Sequence, residues 1–175
     1  MVELNITDFG GKGDGVFDNT NSFKAAFEEI LKNGGGKLVV EAGTWLTGPI
    51  DLVENATLEL KEGAELSFVT DPSAYPPAFT RWEGVECYAM HALLRAADCK
   101  NVTVTGKGTI NGNGNPWWEL VKAKKASGQK TPVEPYELAL AKMNPGYENQ
   151  ASGGGGRETQ FLRPCLVEFI NCQHV

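Results

Sequence analysis

The spacing of apolar residues changes once along this chain, and the change divides it. Phe23, Ala26, Phe27, Ile30 and Leu31 fall at i, i+3, i+4, i+7 and i+8, the spacing of one helical face. Asp18, Asn19, Thr20 and Asn21 supply candidate N-caps, and Asn33-Gly34-Gly35-Gly36 supplies a stop. A helix is therefore predicted over 22–32. After Gly36 the period falls to two. Short alternating or β-branched runs follow at 37–40, 44–46, 56–60, 65–69, 93–95, 102–105 and 109–111, separated by Gly43, Gly48, Gly63, Gly106, Gly108 and Gly112. Leu38 and Leu58 are 20 residues apart, and Leu58 and Val102 are 44 apart, which reads as two periods of 22. Short strands at a period near 20 predict an all-β parallel β-helix, a solenoid whose coils bury their inward side chains only against a stacked neighbour. The helix is the expected cap on the first coil.

A longer repeat is also visible. Leu93-Leu94-Arg95-Ala96-Ala97-Asp98-Cys99-Lys100-Asn101-Val102 lies over Leu166-Val167-Glu168-Phe169-Ile170-Asn171-Cys172-Gln173-His174-Val175. In the first copy Val102 opens a strand; in the second, Val175 is the last residue. The expectation is a solenoid truncated at its C-terminal end, with an open strand edge. On this reading, 1–175 is the N-terminal section of one β-helix domain. It comprises a cap region (1–35), the first coils (36–112), a long insertion (113–163) and the start of an incomplete coil (164–175).

Two excursions break the period. Residues 71–86 carry three prolines with Tyr75, Phe79 and Trp82. Residues 113–163 carry Trp117-Trp118, the lysines Lys122, Lys124, Lys125 and Lys130, a short helix expected over 135–143, and a flexible stretch expected at 150–158. Long excursions from a repeat scaffold are usually functional or disordered.

Composition narrows the classes. A chain of 175 residues that is 41% hydrophobic can bury a sizeable core, and 21 glycines favour a turn-rich β architecture. A net charge of −6 argues against a nucleic-acid partner. The four cysteines lack metal-site or redox-pair spacing. Cys99 and Cys172 share a place in the repeat and read as small buried apolar side chains, with a disulfide or redox role as the alternative. No metal and no cofactor is expected. No apolar run reaches the roughly 18 residues of a membrane span, so no membrane partner is expected. Met1-Val2-Glu3-Leu4-Asn5 has neither the basic nor the apolar region of a signal peptide. As written the chain reads as cytoplasmic; periplasmic or secreted, with a leader removed, is the alternative. The glycine-rich run from Gly10 to Gly15 lacks the Gly-Lys-Ser/Thr ending of a phosphate loop.

Asp8-Phe9-Gly10, Gly13-Asp14-Gly15 and Asp18-Asn19-Thr20, ahead of the amphipathic helix, resemble the opening of the pectin-degrading right-handed β-helix enzymes. Gly35-Gly36-Lys37-Leu38-Val39-Val40, Leu46-Thr47-Gly48-Pro49-Ile50, Thr80-Arg81-Trp82-Glu83-Gly84 and Gly106-Lys107-Gly108-Thr109-Ile110-Asn111-Gly112 narrow the likeness. The ordered set, running from Asn5 to Val175, is similar to glycoside hydrolase family 28, the polygalacturonases, and within it to the exo-acting bacterial branch. The resemblance implies a right-handed parallel β-helix and inverting hydrolysis of α-1,4-galacturonan. In such chemistry one carboxylic acid protonates the leaving oxygen while carboxylates about 6.5–9.5 Å away activate a water on the opposite face. The family carries these groups in Asn-x-Asp, Asp-Asp, Gly-His-Gly and Arg-x-Lys motifs. None occurs here. Asn19-Thr20-Asn21 lacks the Asp of the first, and neither His91 nor His174 is flanked by glycine. No catalytic residue is carried over, and this chain alone is expected to be inactive.

Substrate contacts are weighed residue by residue. In an extended segment Trp117 and Trp118 would point opposite ways, one to stack on a sugar ring and one to anchor the loop. Arg81, Arg157 and Arg163 are candidate carboxylate binders, because a planar guanidinium matches a uronate carboxylate bidentately. Each arginine could equally be a surface ion-pair partner. The lysines at 122–130 read as a solvated helix face, and His91 as a satisfied structural histidine. The expected partners are galacturonan or an oligogalacturonide, and either the remaining coils or a second copy at the open edge. A pectate lyase-like protein would call for calcium-binding carboxylate clusters, which the sequence lacks. A non-catalytic β-helix, carbohydrate-binding or structural, remains the alternative of a different class.

Overall fold

A computed structural model describes residues 1–128, 132–149 and 161–175. Lys130, Arg157 and the expected flexible stretch at 150–158 lie outside these residues. In chain order the elements begin with β1 (Val2–Asn5), α1 (Thr20–Lys32), β2 (Gly36–Val40), β3 (Gly43–Thr47) and β4 (Ile50–Asp51). Next come β5 (Ala56–Leu60), β6 (Ala64–Phe68), β7 (Pro77–Trp82), β8 (Val85–Met90) and β9 (Leu94–Ala97). The rest are β10 (Thr103–Gly106), β11 (Thr109–Asn111), α2 (Gly114–Ser127), α3 (Pro135–Met143) and β12 (Val167–Ile170). They fall into two compact units: Met1–Val69 with Leu93–Gly112 and Val167–Val175, and Thr70–Ala92 with Asn113–Leu166.

The first unit is a stack of parallel sheets, the architecture of a parallel β-helix. Its sheets run β1-β2-β5-β10, β11-β6-β3 and β12-β9-β4. Period-two alternation sends every second side chain inward, and parallel register stacks these into columns. Leu4, Leu38, Leu58 and Val104 form one, Trp45, Leu66 and Ile110 a second, and Ile50, Leu94 and Val167 a third. Leu38 pairs with Leu58 as the 20-residue spacing predicts, but the two periods of 22 are not there. Leu58 pairs directly with Val104, and the residues between them include a segment, 70–92, that belongs to the second unit. The overlay of 93–102 on 166–175, by contrast, is the true ladder register: Leu94 pairs with Val167 and Lys100 bridges Gln173.

Helix α1 buries Phe23, Ala26, Phe27 and Ile30 against β2, β4 and β5. Asn19 precedes it but does not cap it with its side chain. That side chain is fully buried and ties loop to sheet instead. Its Oδ1 accepts from the Lys12 amide at 2.8 Å, and its Nδ2 donates to the carbonyls of Lys12, Phe17 and Leu46. Gly11 and Gly13 lie against the Trp45 ring, where a Cβ would come within 3.2 and 3.0 Å of it. The glycine-rich run is thus the lid of a buried tryptophan. Cys99 and Cys172 are half-buried rather than buried, because each Sγ turns to a backbone carbonyl two residues back.

The second unit holds the antiparallel hairpin β7–β8 and the helices α2 and α3. Glu83 and Gly84 both take positive φ, 47° and 91°, as a two-residue primed turn requires. Trp117 and Trp118 are not on an extended segment: they are the fourth and fifth residues of α2, where adjacent side chains diverge by the helical step. The lysine face is only partly solvated. Lys122 pairs with exposed Glu119, but Lys124 is nearly buried and closes a tight ion pair with buried Glu137 of α3.

Candidate functional site

Trp117, Trp118, Arg81 and Arg163 all fall in the second unit, so the site is built from its hairpin outward. Along β7 and β8 burial alternates. Thr80, Trp82, Cys87 and Ala89 turn inward. Phe79 and Arg81 turn outward, directly opposite Tyr88 and Glu86. The Phe79 and Tyr88 rings meet edge to face at 5.5 Å, a pairing that cross-strand neighbours on one face favour.

Asn144, just past α3, docks the helix end onto this hairpin. The Tyr88 amide donates to Asn144 Oδ1 at 2.8 Å, and Asn144 Nδ2 donates back to the Tyr88 carbonyl at 2.8 Å. One side-chain amide therefore occupies both backbone groups of a strand residue, as a neighbouring strand would. The same Nδ2 also donates to the Leu140 carbonyl. The chain then turns through Gly146 to Tyr147, whose ring packs edge-on against Phe161 at 5.4 Å. Hairpin and turn enclose an open cavity of about 390 Å³, within the range of small-ligand pockets. Phe79, Glu86, Tyr88, Met143, Asn144 and Tyr147 give it its character.

Charge is sparse at this cavity. Arg81 donates through Nε to the Gly84 carbonyl at 3.2 Å and forms no ion pair with Glu86 across the ladder, nor with any other described residue. The strongly perturbed groups lie elsewhere in the unit. Burial opposes ionisation of Glu137, yet donation from Lys124 and from the Val133 and Glu134 amides wins and holds its carboxyl below the ordinary value. Burial, with Glu137 and Glu134 nearby, pushes the Tyr136 hydroxyl up to about 12.

Of the four residues singled out from sequence, the structure brings only Arg81 onto the hairpin face that borders the cavity. Arg163 sits over the Trp82 ring, 5.8 Å from its centroid. Trp117 is buried edge-on against Tyr75 at 5.6 Å, whereas Trp118 is 62% exposed on α2. His91 is buried, with Nδ1 2.6 Å from the Ala92 carbonyl oxygen. Tyr88, Asn144 and Tyr147 were not found from sequence. Alternation on either side of Glu83-Gly84 was the available signal, masked by the prolines ahead of it. Among the described residues no group of His, Cys, Asp or Glu is placed to hold a metal ion, and no helix is long and apolar enough to cross a membrane.

Residues 48–144 match the sequence profile of Glycosyl hydrolases family 28. The chain is 37% identical over 123 residues to a probable polygalacturonase of Vitis vinifera, covering 65% of this chain and 25% of that protein. It is 34% identical over 137 residues to an exo-poly-alpha-D-galacturonosidase of Dickeya chrysanthemi, covering 74% of this chain and 22% of that protein. The crystal structure of a hyperthermoactive exopolygalacturonase from Thermotoga maritima superposes with a TM-score of 0.77 and 38% identity, over 99% of this chain and 40% of that one. The chain thus spans about a quarter of the length of the curated relatives it matches.

Proposed function

The chain belongs to glycosyl hydrolase family 28, and from that premise we propose that it forms the first coils of a right-handed β-helical enzyme that hydrolyses α-1,4-galacturonan with inversion. In this reading α1 caps the first coil, and the reacting carboxylates come from coils stacked beyond β10, β11 and β12. The carrying observation is the 38% identity to the Thermotoga maritima exopolygalacturonase across 99% of this chain. The absence of the acid–base motifs from this sequence supports a contribution to scaffold and substrate contact rather than to bond cleavage. Purified 1–175 is then expected to release no reducing sugar from polygalacturonate. A chimera in which 1–175 replaces the matching part of the Thermotoga maritima enzyme is expected to release galacturonate, with inversion at the anomeric carbon visible by proton NMR. A chimera that folds by circular dichroism yet stays inactive counts against this reading. So does hydrolysis by 1–175 that a single Asp or Glu substitution abolishes.

A further inference from the structure

We propose that Cys99 and Cys172 are a disulfide-forming pair that staples the turn after β12 to the turn after β9. The inference is independent of the sugar chemistry above. Ladder register, not closeness in sequence, brings the two together. β12 lies on β9 at a constant offset of 73 residues. Lys100 bridges Gln173 at the same offset, so Cys172 stands over Cys99. The two turns are copies of each other. Asp98 and Asn171, just ahead of each cysteine, hold positive φ of 54° and 49°. Asn101 and His174, just beyond, hold 55° and 58°. Polar contacts clamp the copies together. Asn171 Nδ2 donates to Asp98 Oδ1 at 2.6 Å, the Asp98 amide to the Ile170 carbonyl at 3.0 Å, and the Gln173 amide to the Cys99 carbonyl at 3.0 Å. Paired residues on neighbouring strands sit about 4.8 Å apart, within the range of about 4.4–6.8 Å that Cα atoms span in a disulfide.

The side chains match the backbone. Cys99 Sγ turns to the Ala97 carbonyl at 2.9 Å and Cys172 Sγ to the Ile170 carbonyl at 3.2 Å, the same contact in each turn. A thiol is a weak donor, so little holds either sulfur in that rotamer. Burial, and after it the Cys172 sulfur, pushes the Cys99 thiol above its ordinary value, which agrees with two sulfurs in close reach. Both residues are half-buried and each lies between exposed neighbours, so a small disulfide such as oxidised glutathione has access. The structure holds the reduced pair. Oxidation proceeds by exchange. One cysteine, as its thiolate, attacks a sulfur of oxidised glutathione and releases one glutathione thiolate. The other cysteine loses its proton to solvent, displaces the second glutathione from the mixed disulfide and closes the Cys99–Cys172 bond. Two electrons pass to the glutathione disulfide, which leaves as two thiols.

Equilibrating the full chain with oxidised glutathione at micromolar protein tests this, read by alkylation of the unfolded product and by peptide mass mapping. The monomer is expected to carry a Cys99–Cys172 link and to lose alkylation at both residues. Its melting temperature is expected to rise by about 5–10 °C, because a long closed loop restricts the unfolded chain. Dithiothreitol should reverse both changes. Cys99→Ser and Cys172→Ser should each melt as the reduced chain does and show no rise with oxidised glutathione, whereas Cys165→Ser should keep the link and the rise. The map of the unmodified chain decides without any variant. The inference is overturned if Cys99 and Cys172 stay open to alkylation in a buffer that oxidises dithiothreitol. It is overturned equally if either is joined to another cysteine or only to a second chain, or if Cys172→Ser retains the melting rise.

Discussion

Asn19 shows how one side chain can hold a loop that the sequence describes only as glycine-rich. Replacing it with Ala removes one acceptor and one donor group from a fully buried side chain, and strands the Lys12 amide and the Lys12 and Phe17 carbonyls, while the Leu46 carbonyl keeps the Asn19 amide. Each buried polar group left unpaired costs about 1–3 kcal/mol, so Asn19→Ala is expected to lose at least about 3 kcal/mol in urea unfolding. From sequence Asn19 looked like one of four equivalent N-caps. Its partners Lys12, Phe17 and Leu46 become neighbours only once β3 is in place, and no local pattern announces that. Glu137 makes the same point for a charge. Removing it leaves the Lys124 ammonium nearly buried and unpaired, and breaking such a pair costs about 3–5 kcal/mol. Glu137→Gln should approach that loss at pH 7, while the double change Lys124→Met with Glu137→Leu should recover most of it. The pH dependence has a definite sign. Because the folded carboxyl titrates below its ordinary value of 4.5, its contribution is complete above that value and disappears as pH falls through the lower, folded one. Stability curves of the unmodified chain and Glu137→Gln are therefore expected to converge in acid; parallel curves down to pH 3 would contradict this assignment.

Strands were readable wherever alternation was undisturbed, as in β5 and β6, where Leu58, Leu60, Leu66 and Phe68 are buried and the residues between them are not. Helix α3 was readable too, with Pro at its first position and the Glu134–Glu137 capping box ahead of an apolar face. The hairpin and α2 were not. Proline at the head of β7 suggests a loop, and Gly114-Asn115-Pro116 suggests a turn, yet Pro at a strand start and in a first helical turn removes no needed hydrogen bond. The turns between coils carry their own ladder. Asn55 and Asn101 both hold positive φ, 59° and 55°, and Asn101 Nδ2 donates to Asn55 Oδ1 at 2.8 Å. Two effects can be separated here. Asn101→Gly keeps the backbone at ease and loses the hydrogen bond, while Asn101→Ala loses both. Ala should be the worse of the two by about 1 kcal/mol, the cost of a Cβ in the left-handed region. Equal melting temperatures for the two variants would show that the ladder, not the backbone, sets the cost.

Stacking alone makes the coils of the first unit cohere, and its consequence is plainest at β12. Val167 and Phe169 stand in register with Leu94 and Ala96, both fully buried, and so continue an interior column. Yet Val167 is 39% exposed and Phe169 37% exposed, because among the described residues nothing stacks on them. The strands β10, β11 and β12 are the last of their three sheets, so each also presents an edge of backbone donors and acceptors. An apolar column ending beside three open edges is a template for another strand. The repeat of 93–102 at 166–175 made this column visible in the sequence, since a ladder that pairs like with like leaves a constant offset. The charges on its outer face, Arg95 with Glu168 at 2.9 Å, follow the same offset. Chain 1–175 is therefore expected to associate through this end, its mass by light scattering rising with concentration. Val167→Lys with Phe169→Lys places two charges in the column that an incoming coil would have to bury, and should return the monomer while leaving the Arg95–Glu168 pair intact. A chain that is monomeric at millimolar concentration without those changes, or one whose association ignores them, would mean that contact is made through another surface.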